Sequence, residues 1–132
     1  MKRFLLVCCL LSAATFTPSF VQHASAQVTA PTPTTAADFS AKVNLLDSYI
    51  GAGDMTNATA TWTVVHNMML NVLRVSKYSI YSATSPADKA SHESILQNQN
   101  VIYRDVWALK TDLTANRTAL HTKLVAFGAT IY

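Results

Sequence analysis

Between Trp62 and Ile80 apolar side chains recur so densely that a helical wheel leaves only a narrow polar strip. At 100° per residue Trp62, Val65, Met69, Leu73 and Ile80 fall close to one line. Val64, Met68, Val72 and Val75 widen that arc on one side and Leu70 on the other, leaving Thr63, Asn67, Asn71, Arg74 and Tyr78 as the polar strip. The apolar arc covers about 240°, against roughly 100° for a helix that rests on a single neighbour. This segment is therefore expected to be the central helix, wrapped by neighbours nearly all the way round.

The flanking pattern is helical too. Thr35-Ala-Ala-Asp38 has the spacing of a capping box, with Asp in place of the usual Glu. Phe39, Val43, Leu46 and Ile50 follow at helical spacing, and Gly51-Ala-Gly53 supplies a stop. Asp54 is placed to cap the central helix, which runs to about Ala83. Ser85-Pro86-Ala87-Asp88 then restarts the chain with a cap, a proline at the first helical position and an acid in the first turn. From Pro86 to Phe127 there is no glycine or proline. Ile95, Ile102, Val106, Leu109, Leu113, Leu120, Leu124 and Phe127 hold one stripe throughout.

These signals predict an all-α chain folded as a small antiparallel bundle of three helices, about 36–51, 54–83 and 86–127. At 1.5 Å per residue those helices span about 24, 42 and 60 Å, so the last outruns the second. The alternative is a break near 111–114, where Asp112-Leu113-Thr114 echoes Asp54-Met55-Thr56; it would give four helices in up-down order.

The first 26 residues read differently. Lys2 and Arg3 precede an apolar run from Phe4 to Ala14, and Ala24-Ser25-Ala26 offers a cleavage site, the order of a secretory signal peptide. The run is short of the ~20 residues of a membrane span, and neither Cys8 nor Cys9 follows a small residue as a lipidated cysteine would. The expected organisation is thus a cleaved leader over 1–26, a loose Pro/Thr-rich segment over 27–35 and one bundle domain over 36–128, secreted or periplasmic after cleavage near Ala26. Both cysteines leave with the leader, so the mature chain is cysteine-free, without disulfide or thiolate chemistry. Lys2 and Arg3 leave as well, so the ten basic side chains fall to eight against seven acids, a formal +1. That balance gives no footprint for nucleic acid or anionic lipid, and no stable membrane span is expected in the mature chain.

Candidate chemistry is sparse. His66 lies inside the apolar arc with Met69 one turn on, a pairing that could serve a soft metal or small-molecule site. The competing reading is a core-edge histidine beside a packing methionine, with no metal or cofactor. His92 and His121 stand about eight turns apart on the last helix, so both cannot join His66. Asp47, Asp105 and Asp112 read as solvated helix-face charges, and Glu93 is the one glutamate. No nucleophile elbow, phosphate-binding glycine loop or His-Glu-x-x-His motif is present, so no enzyme is expected. Asn57-Ala-Thr59 and Asn116-Arg-Thr118 match the glycosylation sequon inside expected helices, and Asn116, close to the buried stripe, is a candidate register-fixing polar residue.

Leu113-Thr114-Ala115-Asn116-Arg117 matches the Leu-Thr-x-x-Gln signature of small exported helical chaperones in its first two positions, with Arg117 where glutamine belongs. The functional expectation is a non-catalytic module that binds itself or a protein partner through an apolar helix face, with Trp62, Met68, Met69, Val72 and Trp107 as candidates. A ligand or metal binder around His66 and Met69, and an extracytoplasmic holdase, are the alternatives.

Overall fold

The computed structural model describes residues 29–132. The expected leader, with Cys8 and Cys9, and the first two residues of the Pro/Thr-rich segment lie outside the described residues. The described chain is all-α, with helices α1 (Ala36–Gly51), α2 (Met55–Ser82), α3 (Pro86–Leu109) and α4 (Arg117–Gly128). Of the two helix counts the sequence allowed, the four-helix one is found, because the last stripe breaks between Leu109 and Arg117.

The ends form as their side chains dictate. Thr35 Oγ1 caps α1 by accepting from the Asp38 amide at 3.1 Å, and its hydroxyl donates to Asp38 Oδ2 at 2.7 Å. Gly53 takes φ 74° between α1 and α2, a conformation that glycine adopts without steric cost. Asp54 then caps α2 through the Asn57 amide at 3.1 Å. Its other oxygen takes the Asn57 side chain at 2.7 Å, so the first sequon asparagine is engaged in a helix cap. Ser85 repeats the cap on α3 by accepting from the Asp88 amide at 3.0 Å.

The break after Leu109 is made without glycine or proline. Thr111, Asp112, Thr114 and Asn116 put four short polar side chains within six residues, and such side chains compete with the helix for backbone partners. Asp112 Oδ1 accepts from the Ala115 amide at 2.8 Å, the same i to i+3 contact Asp54 makes. Asn116 donates its side-chain amide back to the Leu109 carbonyl at 2.9 Å, satisfying a carbonyl the ending helix leaves over. Asn116 fixes the turn, not the register of a continuing helix. Leu113 fills the inside of the turn, and the stripe resumes in phase as Leu120, Leu124 and Phe127, all buried.

Short connections make neighbours antiparallel, and the four helices close into a ring in which α1 packs on α2 and α4, and α3 packs on α2 and α4. Phe39, Val43, Leu46 and Ile50 of α1 meet Val65, Met69 and Val72 of α2, Val106 of α3 and the α4 stripe in one core. The central-helix expectation is corrected in degree, since α2 packs chiefly on α1 and α3. Its buried stripe is Ala58, Thr61, Val65, Met69, Val72 and Ser76, rotated toward small side chains. Trp62, Met68 and Leu73 flank that stripe partly buried, and Val64 is 43% exposed.

Two ion pairs hold α4, and they correct the reading of Asp47 and Asp105 as merely solvated. Arg117 donates Nε and a terminal N–H to the two Asp47 oxygens, both at 2.8 Å, joining α4 to α1. Its guanidinium lies across Gly51, where a Cβ would approach it to 2.5 Å, so the glycine makes room for the pair. Lys123 reaches Asp105 at 2.6 Å, joining α4 to α3. The hydrogen-bonded guanidinium holds the Asp47 carboxyl below its usual range, and the His121 charge adds to the same shift. A depressed carboxylate contributes stability above its unfolded pKa, about 3.9, and loses it as pH falls through the folded value. Urea unfolding of wild type is expected to weaken across that window more than that of Asp47→Asn. The double variant Asp47→Ala/Arg117→Ala should be no less stable than the worse of the two singles. Additive losses would show the two side chains to be uncoupled.

The chain termini close one end. Asn71 of α2 donates to the Thr32 carbonyl at 2.7 Å and to Thr34 Oγ1 at 3.0 Å, so the end of the Pro/Thr-rich segment is tied to the bundle. Gln99 of α3 donates to the Thr130 carbonyl at 3.2 Å, and Tyr132 meets His92 Nδ1 at 3.3 Å. With 28 and 24 residues, α2 and α3 outrun α1 and α4, which have 16 and 12. Past the level of Ser76 and Gln99 the two long helices continue as an arm, flanked by Pro31 on the α2 side and by Tyr132 at His92 on the α3 side.

Candidate interaction face

Two antiparallel helices joined at 83–85 bring together residues about equally distant from that turn. This register sets His66 of α2 against Tyr103 of α3, their Nε2 and hydroxyl 2.9 Å apart. The bond forms with either tautomer, the phenol donating to a bare nitrogen or accepting from N–H. The His66 ring also lies 6.2 Å from Trp62 and 5.0 Å from Trp107, centroid to centroid. Lys110 sets its Nζ 3.1 Å from the Trp107 ring centroid, a cation–π contact. Desolvation in this cluster, followed by the Lys110 charge, pushes the His66 pKa below the ordinary value. A neutral imidazole at pH 7 suits the hydrogen bond it makes. The cluster is an aromatic seam along one side of the α2–α3 pair.

Met69, the proposed partner of His66, has no exposure and belongs to the core, as does Val72 at 4%. Among the expected face residues, Met68 is half-buried against that core, Trp62 sits in the seam, and Trp107 is 42% exposed there. His92 lies by Tyr132 at the tail, and His121 by Asp47 on α4. Among the described residues no three or more His, Cys, Asp or Glu gather as a metal-holding group. No helix of the described residues is long and apolar enough to cross a membrane.

The arm carries the larger open surface. A groove between its helices runs from Lys77, Ile80 and Tyr81 across Glu93 and Leu96, and continues past Asn100 and Val101 to Arg104. On its α2 side it joins a shallow recess bordered by Pro31, Arg74, Tyr78 and Tyr81. Tyr81 is 77% exposed and Val101 41%, while Ile80 and Leu96 are half-buried. The wheel of α2 put Ile80 on its apolar line but could not say which level of that line stays uncovered. The available signal was the excess length of the second helix, in which Ile80 and Tyr81 lie beyond the reach of the first.

Charge is distributed unevenly over this framework. All seven acids of the chain are engaged. Asp38, Asp54, Asp88 and Asp112 serve caps and turns. Asp47 and Asp105 hold α4, and Glu93 pairs loosely with Lys89 at 4.0 Å. Arg74, Lys77 and Arg104 have no salt-bridge partner among the described residues; Lys77 and Arg104 line the groove and Arg74 the adjoining recess. Although the described residues carry eight basic and seven acidic side chains, the groove itself is lined by three cations, Lys77, Lys89 and Arg104, and one carboxylate, Glu93. Comparison with known protein families, with curated proteins and with solved structures finds no match to this chain.

Proposed function

We propose that this protein is a non-catalytic protein-interaction module of the secreted or periplasmic space, with the α2–α3 arm as its interaction element. The observation that carries this is the arm itself: Ile80, Tyr81 and Leu96 line an open groove past the level of Ser76 and Gln99, and Val101 lines its continuation along α3. Apolar side chains left in an open groove cost stability that a bound partner regains by covering them. The export reading rests on Lys2-Arg3, the apolar run and Ala24-Ser25-Ala26.

A neutral solvatochromic dye such as Nile red tests the arm. Its emission is expected to rise with wild-type protein and with Val125→Asn, which removes an exposed apolar residue of α4. The rise should fall several-fold in Tyr81→Ser/Leu96→Asn with helical content unchanged. Equal dye binding by the arm variant and wild type would remove the arm from the case.

A further inference from the structure

We infer that the arm groove takes an acidic amphipathic helix from a partner protein, an inference that rests on the arm being the interaction element. Three features define the occupant. First, the groove lies between two antiparallel helices and offers no sheet edge, so a third helix packing its ridges between theirs fits it, whereas an added strand finds no backbone partners. From Lys89 to Arg104 the α3 side extends about 22 Å, four turns of helix, which accommodates anchors at i, i+3 or i+4, i+7 and i+11. Second, the floor is aliphatic: Ile80, Leu96 and Val101 can receive Leu- or Ile-sized knobs.

Third, the rim is cationic. Lys77, Lys89 and Arg104 line the groove and Arg74 the adjoining recess, against the single carboxylate of Glu93. Glu93 offsets Lys89 only, at 4.0 Å and on an exposed helix face. A partner bearing Asp or Glu beside its apolar stripe meets unpaired cations on both sides of the groove. A second copy docking by the same face would set arginine and lysine against arginine and lysine, so two-fold self-association is disfavoured. An anionic bilayer fits less well, because the tip of the arm is polar, with Thr84, Ser85 and Asp88. Single-stranded nucleic acid asks for a succession of stacking platforms, and the groove presents one aromatic ring, Tyr81.

The test uses fluorescently labelled synthetic helices of about 18 residues with one leucine stripe, differing only in whether glutamate or lysine flanks it. Anisotropy titrations are expected to show the glutamate peptide binding at least tenfold tighter than the lysine peptide, with affinity falling as salt is raised. Lys77→Glu/Arg104→Glu should reverse that preference, while Lys42→Glu on α1 leaves it in place. Equal binding of the two peptides would overturn the charge assignment while the dye result keeps the arm. Failure of both peptides to bind an arm that still takes dye would overturn the helical occupant. Tighter binding to phosphatidylglycerol vesicles or to a single-stranded oligonucleotide than to the glutamate peptide would replace the proposed partner, as would a dimer abolished by Leu96→Asn.

Discussion

Phe127→Ala is expected to lower stability by about 3–5 kcal/mol, the range for removing a fully enclosed phenylalanine. Phe127 has no exposure, and its ring centroid lies 5.6 Å from that of Phe39, joining α4 to α1. Next to it Gly128 lies under Phe39 so closely that a Cβ there would come within 3.1 Å of the ring. The surroundings therefore have little freedom to collapse into the space the lost ring would leave. The effect is amplified by the shortness of α4: twelve residues are too few to hold a helix without packing. Against a typical domain stability of about 5–15 kcal/mol, such a loss is a large fraction of the total. Urea unfolding of wild type and variant gives the value directly, with the slope reporting whether α4 detaches before the rest. A loss under about 1 kcal/mol would mean that α4 does not form part of this core.

The helices were legible where caps and stripes agreed. Phe39, Val43, Leu46 and Ile50 state one face without ambiguity, Thr35 and Asp38 state its start, and all four apolar residues are buried. The break after Leu109 was half legible. Asp112 did echo Asp54, and both side chains accept an amide three residues on. The stripe, however, runs through the break in phase, so wheel geometry alone could not choose between a continued helix and one folded back. Folding back wins because a continued helix would leave Leu120, Leu124 and Phe127 without α1 to pack on. The core of α2 was legible only in part, because hydrophobicity cannot rank Ala58, Thr61 and Ser76 as buried. They are buried because small side chains let helices approach closely. The aromatic seam needed the α2–α3 turn first. Once the turn is placed, antiparallel register pairs His66 with Tyr103, yet nothing in the sequence distance announces it.

Gln99 tests the closed end of the bundle more sharply than any apolar residue, because it puts a polar side chain with no exposure there. It is fully buried in α3, donates to the Thr130 carbonyl, and leaves its Oε1 without a partner. Beside it lies a small cavity, with room for a single water molecule, walled by Pro33, Ser76 and Ile131. In Gln99→Glu a neutral carboxyl can still donate to Thr130, but a carboxylate can only accept and faces a carbonyl oxygen. Burial then raises the folded pKa above the ordinary glutamate value of about 4.3. A raised acid pKa leaves stability intact below the unfolded value and removes it as pH climbs toward the folded one, at about 1.4 kcal/mol per pH unit. Close to wild-type stability is therefore expected near pH 4, and a loss of about 3–4 kcal/mol at pH 7 if the folded pKa lies above neutrality. Gln99→Met lacks both the unpaired oxygen and the titratable proton, so its stability relative to wild type should not vary with pH. Urea midpoints of the three proteins across that range decide the matter. A flat profile for the glutamate variant would mean that residues 129–132 do not seal this end, and that Thr130 leaves Gln99 to water.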